Sequence, residues 1–519
     1  MNGSAGFASS RGLRSSGRKP RDRFQSLGIA FIAGLGVAIG GSVGLATATD
    51  QPKALDPPAM QALVAEALKV WEVPGVAVAV VSRDDVLWLH GHGVRDLNTQ
   101  QRLAHTTLFP LASCTKAFTA TLIGMLQDDG KLTWDDPVHK HLPTFRLADA
   151  CASESATFRD LLCHRTGLAA HDYLWYRAPW PPEDAVRRAG LLSLEKPFRT
   201  AFQYQSTMVT AAGLAAARAA GSGWELLVRD RIFQPLGMRG ARCTSPPADA
   251  DRASPHRLDR SGVLRVIPWY EQLTADPAGS IHASADDLVP WLQFHLGDGV
   301  WRGRRLLSAA GLREMQTPQI ALRLEGLHRA AAPDTLLMSY GLGWVIHDYR
   351  GQLVISHAGA IDGFRAHITL LPNAGLGFAL LCNRHQSRMN LALSNTLIDR
   401  LLGLPPRDWH AYYRNFARQE DELSAAAHKR PGHAESRPSR PASDLVGRFA
   451  HPAYGVIAIA KENGVVVFQW SGFRGTVRDC GDDDFTVDDE NLTDNSFRPI
   501  VSENRVVALE FLNLRFDRQ

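Results

Sequence analysis

Along the first quarter of the chain the spacing of apolar residues changes period twice, and each change predicts an element. Met60, Leu63, Val64 and Leu68 recur at helical spacing and predict a helix over residues 57–69. Val73-Pro74-Gly75 ends it, because proline cannot continue the hydrogen-bond ladder and glycine favours a turn. Residues 76–81 and 86–89 are apolar and flank Arg83-Asp84-Asp85, which predicts the two strands of a hairpin. Phe118, Leu122, Met125 and Leu126 return to the helical period, with Gly130 as the stop. A long region of helices and Pro/Gly loops runs on to about residue 299, and strand signals come back at 353–356, 365–371 and 377–382. Strands at both ends with helices between them predict an α+β fold: an antiparallel sheet flanked by helices, with a helical subdomain.

Farther on the pattern changes character. Residues 418–441 are dominated by His, Lys, Arg, Pro, Ala and Ser, a composition that suits a solvated linker. Residues 456–460, 465–470, 476–480 and 506–511 then read as short strands between Gly, Asp and Asn turns, a small all-β, barrel-like domain. At the other end, basic residues run to Arg23, an apolar stretch covers 27–45, and Ala46-Thr47-Ala48 offers a small-x-small cleavage site. The expected organisation is an export signal or membrane anchor over 1–48, the main body over 55–403, a linker over 404–441 and an all-β domain over 442–519. The leader implies an exported protein, periplasmic or secreted, or held at a membrane through that segment.

Composition narrows the function classes. A chain of 519 residues exceeds one core, and 45% hydrophobic with 21% charged residues is an ordinary globular balance. The net charge of +4 comes partly from the leader (Arg11, Arg14, Arg18, Lys19, Arg21, Arg23). The body has no basic stripe with interleaved aromatics, so nucleic acid is not an expected partner. The six cysteines (114, 151, 163, 243, 382 and 480) form no CxxC pair, which argues against zinc and against a disulfide framework. His90 and His92 share one face of a strand, but two ligands without a third do not make a metal site. No metal and no cofactor are expected.

The chemistry-bearing feature is Ser113-Cys114-Thr115-Lys116 at the start of a helical pattern. Positions i and i+3 share a helix face, so a hydroxyl and an amine sit one above the other. A serine oxygen is a poor nucleophile until a neighbour takes its proton, and a lysine drawn out of water can do so. The same spacing occurs at Ser16 to Lys19, in the basic leader, and at Ser193 to Lys196, cut short by Pro197. Only Ser113 opens an apolar helix. Gly40-Gly41-Ser42-Val43-Gly44 is a literal GxSxG, but a nucleophile elbow needs a strand–turn–helix setting that an export segment does not provide.

Three further segments join it: Tyr204-Gln205-Ser206 before an apolar helix, Pro277-Ala278-Gly279-Ser280 before Asp286-Asp287-Leu288, and His357-Ala358-Gly359 closing a strand. With Leu108-Phe109, Leu161 through Leu168, Pro235-Leu236-Gly237-Met238, Tyr340-Gly341-Leu342-Gly343-Trp344 and Asn383, the chain from Leu55 to Gly403 resembles the class C β-lactamase-like serine hydrolases. That group includes penicillin-binding D-peptidases, D-aminopeptidases and related esterases. The C-terminal unit, with Val446-Gly447-Arg448-Phe449 and Tyr454-Gly455, resembles the lipocalin-like domain that some members carry.

The resemblance implies roles residue by residue. Ser113 would be the nucleophile, Lys116 its proton partner and Tyr204 the second base. The backbone N–H groups of Ser113 and Ala360 would form an oxyanion hole, with Gly359 and Ser206 beside the substrate. His357 would be the fourth catalytic residue, standing where many relatives have lysine, as in the D-aminopeptidase and esterase branches. Ser206 departs from the usual Tyr-x-Asn; its shorter side chain fills only part of the asparagine's role. Tyr413-Arg414-Asn415 is a literal match but falls out of order. His164 reads as a residue orienting a loop, while Trp175, Tyr176 and Trp180 either line a cleft or pack a Pro-rich loop. The implied function is a serine hydrolase forming an acyl-enzyme with a small-molecule or peptide substrate: an ester, a peptide (D-amino-acid peptides included) or a β-lactam. The alternative is a catalytically weakened penicillin-binding or envelope-binding protein.

Overall fold

The structure is a computed structural model that describes residues 55–428, 440–492 and 495–519. The expected leader and part of the expected linker lie outside those residues.

The predicted first helix, α1 (Pro57–Trp71), leads into the predicted hairpin, β1 (Gly75–Ser82) and β2 (Val86–Gly93). The body's remaining strands come from the far end of the domain: β3 (Ile320–Ala321), β4 (Met338–Tyr340), β5 (Val345–Tyr349), β6 (Gln352–Ile361), β7 (Phe364–Leu371) and β8 (Leu376–Cys382). They form one antiparallel eight-stranded sheet in the order β2-β1-β8-β7-β6-β5-β4-β3. N-terminal β1 inserts beside C-terminal β8, with Val78 opposite Leu380.

Alternation along the strands sorts side chains into two layers. Ala77, Ala79, Val81, Ile368, Leu370, Ala379 and Leu381 face one way, onto α2 (Thr115–Asp128), α3 (Ser206–Ala220) and α4 (Ala285–Leu296). Val76, Val78, Val80, Phe378 and Leu380 face the other way, onto α1, α5 (Met389–Leu401) and α6 (Trp409–His428). The helices that carry Lys116 and Ser206 belong to the first layer.

Helix α6 corrects the expectation of a linker over 404–441. Trp409, Tyr412, Tyr413 and Phe416 fall on one helical stripe, and Trp409, Tyr413 and Phe416 are buried against the reverse face of the sheet. The Trp409 indole donates to Asp399 at 2.7 Å, and Arg388 grips Glu420 with two bonds of 2.8 Å. The polar composition after residue 418 masked this stripe.

The C-terminal segment closes into an eight-stranded barrel, Gly447–His451, Gly455–Glu462, Val465–Trp470, Phe473–Asp479, Phe485–Val487, Phe497–Ser502, Arg505–Phe511 and Leu514–Arg518. Four of these strands were read from sequence; the other four, three to six residues long, were not. Phe449, Phe468, Trp470, Phe497, Phe511 and Phe516 fill its interior. This core is continuous with the nucleophile-side layer, and body and barrel fall in one compact unit, Pro52–Gln519.

In α4, His295 is enclosed by Trp291, Phe294 and Trp344, and among the described residues neither ring nitrogen has a partner. Burial alone pushes its imidazole down to about 3. Between that value and the ordinary 6.5 the unfolded chain binds the proton and the folded chain does not, so stability is intact above 6.5 and falls as the pH drops. Urea unfolding at about pH 7.5 and about pH 5 is expected to show a smaller loss on acidification for His295→Leu than for wild type, by roughly 1–2 kcal/mol. Equal pH dependence in both proteins would contradict a neutral buried His295.

Candidate active site

Ser113 lies in a single 3-10 turn, Ala112–Cys114, that runs directly into α2. Ala112, just before it, has φ of +46°, a left-handed conformation that costs a non-glycine residue strain and turns the chain sharply at the nucleophile. The surroundings hold that turn. Leu111 N–H donates to Ile281 at 2.8 Å, and the Cys114 thiol donates to the carbonyl of His357 at 3.3 Å. From β6, Gly359 packs so closely that a Cβ there would lie 2.0 Å from the Leu111 carbonyl oxygen and 3.3 Å from the Ser113 nitrogen. Only glycine fits.

One turn along, Lys116 has no solvent exposure at all. Its Nζ donates to Ser113 Oγ at 3.0 Å, to the Ala278 carbonyl at 3.0 Å and to Ser206 Oγ at 3.3 Å. Among the described residues it has no carboxylate partner, so neutral oxygens meet all its donors. The Ala278 carbonyl is aimed by a braced turn. Asp276 accepts from Thr210 Oγ1 and the Ala278 N–H at 2.7 Å each, and Thr119 Oγ1 donates to Pro277 at 2.6 Å. Burial pushes the Asp276 carboxyl up.

Ser206 opens α3, capped by Gln205, whose side chain accepts from the Thr207 N–H at 2.7 Å. The Tyr204 ring stands 4.9 Å from the Lys116 Nζ, within cation–π range. His164 supports this segment: its Nδ1 accepts from the Gln205 N–H at 3.1 Å and its ring packs 4.3 Å from that of Tyr204. Burial, then the charge of Lys116, pushes the His164 imidazole well below its ordinary range, so it stays neutral. Asp160 anchors the loop beneath. Burial raises its carboxyl, but hydrogen bonds from Arg199, the Thr157 amide and Arg165 outweigh that and hold it below the usual range.

His357, expected among the catalytic residues, lies on β6 with both ring nitrogens in contact with protein oxygens. Its Nδ1 lies 2.7 Å from the Ala358 carbonyl and therefore carries the proton, which leaves Nε2 to accept from the Tyr340 hydroxyl at 2.8 Å. Burial and the neighbouring Lys116 push the imidazole down to about 3. Both nitrogens are engaged and the ring faces Tyr340, a positioning arrangement. Tyr340, in the Tyr-Gly-Leu-Gly-Trp phrase, showed no sign of this pairing in sequence.

Ser113, Ser206 and Ala360 line one small cavity with Ala112, Trp175 and Asp276, while Tyr204 and His357 do not line it. Its volume, about 20 Å³, holds roughly one water. Trp175 narrows it, and the barrel holds the segment that carries Trp175. His171 Nδ1 meets the Tyr454 hydroxyl at 2.9 Å, the Gly472 N–H donates to Arg177 at 2.8 Å, and Tyr173 packs against Trp470 and Phe473. Tyr176 donates to Asp362 at 2.7 Å and packs on Phe473, and the Trp180 ring lies against Gly455. Of the four aromatics in that loop, Trp175 lines the cavity and Tyr173, Tyr176 and Trp180 fasten the segment. Among the described residues no group of three or more His, Cys, Asp or Glu gathers at metal-binding distance, and no helix is long and apolar enough to cross a membrane. All six cysteines are free thiols.

A half-buried serine bonded to a fully buried lysine thus sits at the mouth of an α-helix, beside an antiparallel sheet. The chain belongs to the β-lactamase family of hydrolases: the family model described as Beta-lactamase matches residues 60–402. Among curated relatives, the unguisins hydrolase ungD of Aspergillus violaceofuscus (strain CBS 115571) is 28% identical over 436 residues, covering 76% of this chain and 75% of its own. Penicillin-binding protein 4 of Amycolatopsis lactamdurans is 30% identical over 319 residues, 60% of this chain and 81% of its own. In fold, the octameric penicillin-binding protein homologue from Pyrococcus abyssi superposes with a TM-score of 0.60 at 21% identity, over 89% of this chain and 100% of that one. The D-amino acid amidase from Ochrobactrum anthropi SV3 gives 0.56 at 22% identity, over 67% and 98%.

Adding one methyl at Gly359 forces the Ser113 turn and β6 apart. Gly359→Ala is expected to lower kcat on any accepted ester at least about tenfold and stability by ~1–3 kcal/mol. Gly223→Ala, where an added carbon meets nothing, is expected to leave kcat unchanged and to cost at most about 1 kcal/mol through its helix-cap position. Steady-state rates and thermal melts of the two variants check this; full activity in Gly359→Ala would show that the close approach is dispensable.

Proposed function

We propose that the protein is an acyl-transferring serine hydrolase whose nucleophile is Ser113. The observation that carries this reading is the 3.0 Å contact between Ser113 Oγ and a fully buried Lys116 Nζ. With Lys116 unprotonated, the contact reverses direction: the serine hydroxyl donates to Nζ and its oxygen is freed to attack a carbonyl carbon. The tetrahedral oxyanion then accepts from the N–H groups of Ser113 and Ala360, donors worth a few kcal/mol when aligned. Lys116, with Tyr204 across its cation–π contact, returns the proton to the leaving group. Water then attacks the Ser113 ester, giving its proton to the same basic pair, and the serine is restored.

The substrates proposed are esters and peptides, D-amino-acid peptides among them, ahead of β-lactams. Two observations support that order. Ser206 offers a single short hydroxyl where an asparagine amide would both donate and accept. A relative is named as an unguisins hydrolase, and a fold neighbour is named as a D-amino acid amidase, an enzyme of amide bonds. The leader over 1–48 supports an exported, periplasmic or membrane-held protein. A second reading, an envelope protein that captures an acyl group and releases it slowly, draws on Ser206 and on a cavity with room for little more than a water.

A fluorophosphonate probe is expected to label wild type and not Ser113→Ala; equal labelling would remove the assignment. Lys116→Ala should still melt cooperatively while losing roughly 10²–10⁴ in kcat on p-nitrophenyl esters. Multiple turnover of those esters by wild type excludes the capture reading.

Ser206→Asn lengthens the side chain at the position that meets Lys116 and the substrate. Its kcat/KM for D-amino-acid amides and nitrocefin is expected to rise about three- to tenfold, with ester hydrolysis little changed. A flat result across the three substrates would show that residue 206 does not govern amide recognition.

A further inference from the structure

On the reverse face of the sheet the helices leave a gap. Where α1 and α5 cover β1 and β8, the residues facing them are Val76, Val78, Val80, Phe378 and Leu380, all fully buried. On β6 and β7 the same face changes character, to Ser356, Ala358, His367 and Thr369, with Ala358 opposite His367 and Ser356 opposite Thr369. These smaller and more polar side chains floor a cavity of about 330 Å³. Leu391 and Ile398 of α5 and Tyr413 of α6 enclose it from the helix side. The volume lies within the range of ligand pockets, about 300–1,000 Å³.

Two polar atoms on the floor have no protein partner among the described residues, Nδ1 of His367 and Oγ1 of Thr369. Their side chains are 8% and 1% exposed. A buried donor or acceptor is costly unless something bonds it, and native interiors rarely leave one unmatched. Nothing at this depth offers a charge: burial, then His347, holds His367 neutral, pushed down to about 4. The lining residues Arg323 and His328 are solvent-exposed and so mark the opening. Asp334 is already paired with Arg350 and Arg407. An ion carried to the floor would lose its hydration without gaining a counter-ion.

We infer that this cavity is a second binding site, separate from the Ser113 cleft, for an uncharged and mostly apolar small molecule that carries a hydroxyl or amide group. Its apolar body packs against Leu391, Ile398 and Tyr413, and its polar end bonds Thr369 Oγ1 and His367 Nδ1. Ser356 and Ala358 alternate along β6 with His357 and Gly359, which face the nucleophile's side. An occupant therefore rests on the back of the strand that packs against the Ser113 turn.

Isothermal titration of the full chain with p-cresol, and with toluene as its hydroxyl-free partner, tests the site. Saturable binding of one p-cresol per chain is expected, unchanged in Ser113→Ala. Thr369→Val is expected to weaken p-cresol about fivefold and leave toluene unchanged. Ala358→Leu, which fills the cavity, is expected to abolish both; where its melting curve shows misfolding, Ser394→Leu on the opposite wall is read in its place. Absence of saturable binding to wild type, or p-cresol binding that survives the filled cavity, overturns the site. Equal p-cresol affinity in Thr369→Val overturns the ligand class.

Discussion

A single amine organises this molecule. Lys116 Nζ is withdrawn from water with no carboxylate to balance it, a placement that is costly unless each of its donors finds an oxygen at bonding distance. Three separate stretches of chain supply those oxygens: the turn at Ser113, the start of α3 at Ser206 and the carbonyl of Ala278. Each has its own brace. Gly359 and Cys114 fix the turn, His164 and Gln205 fix the start of α3, and Asp276, Thr210 and Thr119 fix the carbonyl. Loosening any one leaves a buried donor unmatched, so nucleophile geometry and local stability are the same constraint here.

The sheet supplies the rigidity behind this arrangement. N-terminal β1 lies between β2 and C-terminal β8, so the two ends of the body must meet before the sheet is complete. Its nucleophile-side face is lined by alanine, valine and leucine and holds α2 and α4 close. β6 then brings two unlike residues to the site: Gly359, which permits close approach, and His357, whose ring locks Tyr340 in place. Membership of the β-lactamase family is carried by this frame and not by one substrate, since a fold hosts many chemistries. Trp175, Ser206 and Asp276 are among the side chains that line the cavity beside Ser113.

Much of this was legible in sequence because it rests on local periodicity. The helix after Ser113, the hairpin over 75–93 and the strands at 364–371 and 376–382 each carry a clean pattern of period 3.6 or 2. The Ser113–Lys116 contact was legible as well, since helix geometry alone brings i and i+3 together. What escaped depends on contacts between distant segments. The state of His357 is set by a hydroxyl on another strand, and no spacing announces that Tyr340 and His357 will meet. The Ala278 carbonyl is a backbone atom, invisible to any search for side-chain chemistry. Helix α6 escaped because its aromatic stripe is followed at once by charge, and half the barrel because strands such as 485–487 are too short for alternation to register.

The barrel's hold on the segment that carries Trp175 has a consequence in time. Tyr454 and Gly472, which secure residues 171 and 177, lie nearly 300 positions downstream. A nascent chain therefore has both Ser113 and Lys116 in hand while the segment that carries Trp175 still lacks its anchors. Until the last strands emerge and close, the wall that Trp175 adds to the cavity lacks these anchors, and the cavity's outline is the final feature the chain acquires.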